Sequence, residues 1–130
     1  MIGKLAVQCG PIAIIDDDLA VRNSLKFTLE IEGFAVRVYA TGQELLNDSE
    51  AAQYGCLVVD QNMPGLNGLD LIAQLRDRKI FVPAILITSH PSRALRERAA
   101  SANIPIVEKP LLTGALMDGI HHALARPQSH

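Results

Sequence analysis

Five polar residues in this chain each follow a short apolar run. Asp16 and Asp17 come after residues 12–15, Asp60 after 56–59, Thr88 after 83–87, and Lys109 after 104–107 with Glu108 between. Singly they say little. An Asp after a strand is commonly a turn former or helix cap, a Thr there a strand-end hydroxyl, and a Lys a solvated charge. Brought to one place, they would do chemistry. Two carboxylates about 4 Å apart repel by roughly 4 kcal/mol at an effective dielectric near 20, so clustered acids either take up a proton or hold a cation. Hard oxygen ligands with open positions suit Mg²⁺, which keeps waters and bridges to phosphoryl oxygens. An ammonium and a hydroxyl beside one carboxylate would complete a trap for a planar phosphoryl group in transit. The carboxylate that accepts it would be a nucleophile.

The elements needed to gather these residues are legible in the apolar periodicity. Residues 12–15 are apolar throughout, as in a strand buried on both faces. Val21, Leu25, Phe27, Thr28 and Leu29 then suit a helix with one wide buried face, which Gly33 is placed to end. Residues 34–39 read as a second strand and 42–52 as a second helix, with Leu45 and Leu46 inward. A third strand over 56–59 leads through a Pro/Gly/Asn turn at 63–68 to a helix carrying Leu69, Leu71, Ile72 and Leu75. Residues 83–87 give a fourth strand, 93–102 an Ala-rich and weakly apolar helix, and 104–107 a fifth strand. Leu112, Leu116, Ile120, Ala123 and Leu124 mark a last helix with an inward stripe, before a tail at 126–130. Strict strand–helix alternation implies α/β architecture, a parallel sheet covered on both faces. The expected form is a flavodoxin-like (βα)5 doubly wound sheet in strand order 2-1-3-4-5. In that order the four strands bearing the polar residues are adjacent, and their carboxyl ends share one crevice.

The segments Ile14-Ile15-Asp16-Asp17-Asp18, Val58-Val59-Asp60-Gln61-Asn62-Met63-Pro64-Gly65, Leu86-Ile87-Thr88-Ser89 and Val107-Glu108-Lys109-Pro110 stand in that order along the chain. Together they resemble the four motifs of response-regulator receiver domains, over about residues 11–125. The resemblance implies that Asp60 is the phosphoacceptor, that Asp17 touches Mg²⁺ directly and Asp16 acts through water, and that Asn62 offers its backbone carbonyl to the metal. It implies that Thr88 and Lys109 contact phosphoryl oxygens, and that the bond before Pro110 is cis. It also implies a sensor histidine kinase or phosphotransfer protein as donor. The output surface would be the face of the fourth helix, fifth strand and fifth helix, meeting an output partner or a second copy. Residues 20–36 and the Glu-Lys-Pro ending most resemble receivers that precede helix-turn-helix output domains. Two departures bear on output. Ile106 stands where an aromatic ring is common, and Ser101-Ala102-Asn103-Ile104-Pro105 lacks the usual Gly-Ala. Ile106 is expected to be buried whether or not Asp60 is phosphorylated.

The rest of the sequence narrows the field. A length of 130 residues fits one domain, 48% hydrophobic residues are enough for one core, and a formal charge of −2 gives no bulk attraction to nucleic acid. No apolar run is long enough to span a membrane, and residues 1–11 make a poor signal peptide. Cys9 and Cys56 lack metal-ligand spacing and read as reduced thiols, which makes the cytoplasm the expected location. Asp18 reads as the cap of the first helix rather than a metal ligand. Asn62 and His90 either flank the phosphoryl group or face solvent, and His121 and His122 read as an exposed pair. The rival readings are a pseudo-receiver that binds partners without phosphorylation and a phosphatase with an aspartyl intermediate. The second generally needs an Asp where Asn62 stands. A flavin site is disfavoured because three acids after the first strand would repel a phosphate.

Overall fold

A computed structural model describes residues 10–109, 111 and 114–125. The elements run β1 (Ile12–Ile15), α1 (Leu19–Ile31), β2 (Val36–Tyr39), α2 (Gly42–Leu46), a 3-10 turn (Ala51–Gln53), β3 (Cys56–Asp60), α3 (Gly68–Asp77), β4 (Ala84–Thr88), α4 (Arg93–Ser101), β5 (Ile106–Glu108) and α5 (Ala115–Ala125). The five strands form one parallel sheet in the order β2-β1-β3-β4-β5, as the alternation predicts. Every residue of β1, β3 and β4 is buried, whereas β2 and β5, at the two edges, are partly exposed.

Strand alternation sends side chains to two cores. Ala13, Ile15, Leu57, Val59 and Leu86 pack beneath α2, α3 and α4, with Leu45, Leu71, Leu75 and Ala99 among their partners. Ile12, Ile14, Val58, Ile85 and Ile87 pack beneath α1 and α5, against Leu25, Leu29, Leu116 and Ile120. Both layers exclude water from the sheet and fix its carboxyl edge.

Local sequence sets the helix ends. Asp18 caps α1 by accepting from the amides of Ala20 and Val21 at 2.9 and 3.3 Å, as expected of it. Gly33, just beyond the last turn, has φ +100°, the left-handed conformation that ends helices. Thr41, Asn67 and Ser92 cap α2, α3 and α4 in the same way as Asp18.

Several expectations need correction. Thr28, placed on the buried face of α1, is exposed, and the second strand starts at Val36 rather than at 34. Phe27 is 67% exposed, not part of the buried face; at 100° per residue it lies about 200° round the helix from both Leu25 and Leu29. The second helix stops at Leu46 rather than reaching 52. There the Asp48 carboxylate takes the Glu50 amide at 2.8 Å and the Tyr39 hydroxyl, a local arrangement that competes with helical bonding. The fifth strand is Ile106–Glu108, not 104–107, because Pro105 has no amide to give a ladder. Ile106 is half-buried rather than buried, since β5 is an edge strand; it still packs against the core beneath α4.

The weakly apolar fourth helix is as expected. Ala99 is the buried residue of α4, and Leu95 packs against the core from a partly exposed position. Two exposed ion pairs also hold α4: Arg96 to Glu108 at 2.6 Å and Arg98 to Asp70 at 3.4 Å. Pairs of this kind typically contribute under about 1 kcal/mol. Cys9, the cis bond before Pro110, the inward role of Leu112, residues 1–9 of the extension and the tail at 126–130 fall outside the described residues.

Candidate functional site at the carboxyl edge of the sheet

The four strand ends meet as the strand order requires. Among the described residues, Asp16, Asp60 and Thr88 are the buried polar ones, at 0%, 3% and 2% exposure. Lys109 reaches across from the end of β5, and its Nζ lies 3.4 Å from Asp16 Oδ2 and 3.4 Å from Asp60 Oδ1. The backbone locks these ends together. Asp16 donates its amide to the Tyr39 carbonyl at 3.1 Å, and Lys109 donates its amide to the Thr88 carbonyl at 2.8 Å. Asp16 Oδ1 accepts the Asp18 amide at 2.9 Å, so the same loop that caps α1 also aims the buried carboxylate.

Electrostatics follow from burial. Desolvation, then the neighbouring Asp16 charge, pushes the Asp60 carboxyl above its ordinary value, while Lys109 and the Asn62 amide pull the other way without cancelling the rise. For Lys109, burial disfavours the ammonium, but Asp16 and Asp60 outweigh it and hold the group above its ordinary value. A protonated Lys109 therefore faces two carboxylates that repel each other.

Asp16, Asp17 and Asp60 can each bring one carboxylate oxygen within 4.8 Å of the others, with Asp17 exposed and the other two buried. Ligand oxygens around a small octahedral cation at about 2.1 Å stand roughly 3–4 Å apart, so a small contraction of this trio fits such an ion. The hard, all-oxygen donor set suits a divalent cation of the Mg²⁺ kind, and Asp17 leaves the site open to water.

Several contributors could not be read from the sequence. Gln61 has its amide on the Ile87 carbonyl at 2.9 Å, and its side-chain oxygen accepts the Leu69 amide at 2.9 Å, fastening the loop after β3 to both β4 and α3. Arg22 donates to the Asp16 carbonyl at 2.8 Å. Gly68 starts α3 hard against the phosphoacceptor candidate: a Cβ there would lie 2.8 Å from the Asp60 carbonyl oxygen. Asn62 is exposed yet bonded, its backbone amide to Asp60 Oδ1 at 3.3 Å and its side-chain amide to Thr88 Oγ1 at 3.1 Å. Asn62 was marked by its place two positions after Asp60, but not for its side-chain bond to Thr88; the other contacts have no spacing signal and depend on how distant segments are placed. His90, His121 and His122 are exposed.

The sequence model of the response regulator receiver domain family matches residues 12–121. The chain belongs to this family. Among curated proteins, the receiver is 34% identical over 113 residues to the transcriptional regulatory protein FixJ of Rhizobium meliloti (strain 1021), covering 86% of this chain and 55% of that protein. It is 32% identical over 114 residues to the response regulator protein TodT of Pseudomonas putida (strain ATCC 700007 / DSM 6899 / JCM 31910 / BCRC 17059 / LMG 24140 / F1), covering 87% of this chain and 50% of that one. Among solved structures, FixJ-N matches with a TM-score of 0.81 at 30% identity, covering 93% of this chain and 98% of that one. The chain thus spans about half the length of the curated relatives it matches. The expected closeness to receivers of transcriptional regulators agrees with these relatives. Among the described residues, no helix is long and apolar enough to cross a membrane.

Proposed function

We propose that this receiver accepts a phosphoryl group from a phosphohistidine donor onto Asp60 and thereby switches a protein-interaction surface. The observation that carries the reading is the Lys109 ammonium, 3.4 Å from both Asp16 and Asp60 at the mouth of a buried acid cluster. Asp60 Oδ1 takes the Lys109 and Asn62 contacts; Oδ2 takes neither and is the oxygen we assign to attack. A bond from Oδ2 to phosphorus forms as the phosphorus–nitrogen bond of the donor breaks, and the histidine nitrogen leaves to take up a proton. Lys109 and Thr88 supply an ammonium and a hydroxyl for the equatorial oxygens, the kind of fixed electrostatic stabilisation that dominates phosphoryl transfer. Asp16, Asp17, Asp60 and the Asn62 carbonyl would hold Mg²⁺, which supplies positive charge to the phosphoryl oxygens when bound.

On this reading residues 11–125 are one receiver unit acting as a signalling module in the cytoplasm. A sensor histidine kinase or phosphotransfer protein supplies the phosphoryl group. The face of α4, β5 and α5 meets an output partner or a second copy. The acyl phosphate shifts a pre-existing equilibrium by binding one state better than the other.

The test is intact mass after incubation with Mg²⁺ and a small phosphodonor. The wild type should gain one phosphoryl group and Asp60→Asn none. Undiminished labelling of Asp60→Asn would reject the assignment. A second reading, a pseudo-receiver that binds partners without phosphate, is favoured by Ile106 at the usual aromatic position. An unlabelled wild type would select it.

A further inference from the structure

An exposed Asn can satisfy its amide with water, yet the Asn62 side chain reaches inward. Its Nδ2 donates to Oγ1 of buried Thr88 at 3.1 Å, joining the loop after β3 to the end of β4 across 26 positions of chain. Its backbone amide is meanwhile spent on Asp60 Oδ1 at 3.3 Å. Asn62 therefore touches both residues that a phosphoryl group on Asp60 would have to bring together. Its short side chain, rooted by that backbone contact, has little reach to follow a moving hydroxyl. Thr88 is β-branched and moves between discrete χ1 wells rather than continuously.

We propose that the Asn62 side chain is a latch on Thr88, holding the hydroxyl in its resting rotamer so that a phosphoryl group captures it only by breaking this bond. The inference rests on reading Asp60 as the phosphoacceptor, and it makes Asn62 a positioning residue that acts through Thr88. A contact present in one state and lost in the other shifts the equilibrium by its full differential weight. A typical net hydrogen bond corresponds to about a fivefold shift. Asn62→Ala removes the latch and keeps the backbone amide and carbonyl, so any metal contact through the carbonyl is retained.

The experiment is a double-mutant cycle on the whole chain, using beryllofluoride with Mg²⁺ as the phosphoryl mimic and calorimetric affinity as the readout. NMR of the resting protein reports the Thr88 χ1 couplings. Asn62→Ala should bind the mimic about fivefold tighter and leave the Thr88 rotamer averaged. The same change in a Thr88→Ala background should have no effect on affinity. Equal or weaker binding by Asn62→Ala, or an undiminished effect in the Thr88→Ala background, would overturn the latch while the wild type's binding leaves the phosphoacceptor reading intact. A wild type that does not bind the mimic would overturn both.

Discussion

Gly68 opens α3 directly behind Asp60, and its replacement by Ala separates helix propensity from packing. In an unobstructed helix the change should stabilise by up to about 1 kcal/mol. Here the new Cβ would lie 2.7 Å from Leu86 Cδ1, 2.8 Å from the Asp60 carbonyl oxygen and 3.0 Å from the Gln61 Cα. The Leu86 methyl can rotate away, but the other two atoms belong to backbone that is held to β4 by the Gln61 amide on Ile87. Overpacking a rigid site typically costs about 1–3 kcal/mol, and two backbone contacts put Gly68 towards the upper end. Net of propensity, Gly68→Ala should destabilise by about 1–2 kcal/mol and lower Tm by roughly 3–10 °C. Because the clash pushes on the Asp60 carbonyl, labelling by a small phosphodonor should slow even where the protein is fully folded. Gly119→Ala is the control. Its Cβ would meet only side-chain carbons of Ile85, the nearest Cδ1 at 3.3 Å, so the variant should match or exceed the wild type in stability. Thermal unfolding by circular dichroism gives the order. Gly68→Ala as stable as Gly119→Ala would refute the claim that close backbone approach at Gly68 positions Asp60.

Asp60→Asn should raise Tm at neutral pH, because burial and Asp16 lift the native carboxyl's pKa and ionised Asp60 therefore weighs against the fold. The native state binds more protons than the unfolded one between the ordinary Asp value and the raised one, so stability falls as pH rises through that window. The advantage of the Asn variant should be largest above the window and fade on acidification; a constant difference would contradict it. Asp17→Asn should remove most Mg²⁺ affinity by calorimetric titration, whereas Asp18→Asn should keep it and cost at most about 2 kcal/mol through a weakened α1 cap; equal losses of affinity would sink the distinction. Hydrogen exchange with and without a phosphoryl mimic should change most across residues 89–103, since α4 has sparse apolar anchoring and surface ion pairs. A large swing of Ile106 beside an unmoved α4 would refute that route.

The strand order and the convergence of Asp16, Asp60, Thr88 and Lys109 were legible because apolar runs and the residues that end them are local signals. Three central strands are buried along their whole length, which is the pattern a continuous apolar run encodes. Phe27 misled because its apolar character was weighed above its helical angle, which sets it about 200° from Leu25 and Leu29. Ile106 misled although the expected order already put its strand at an edge: a strand paired on one side only covers its side chains incompletely, and an apolar residue there is left half-buried. The side-chain contacts of Gln61, Arg22 and Asn62 were illegible, since a polar side chain acquires such a partner only when separate segments have been placed. Gly68 is the intermediate case: a turn-rich stretch marks a glycine, but only the fold shows which atoms crowd it.

Lys109 contacts Asp16 across 93 positions of chain. During synthesis at about 5–20 residues per second, the first acid leaves the ribosome roughly 5–19 seconds before the cation that faces it. β1 is out before that interval begins, β2, β3 and β4 emerge during it, and β5 comes at its very end, directly ahead of the lysine. A nascent chain thus carries the acids without their counter-charge. The acid cluster lacks this cation until the last strand has docked, so a partly made receiver should be a poor target for phosphotransfer. If Lys109 acts as proposed, its place directly after the fifth strand would make phosphotransfer wait on a sheet that is complete.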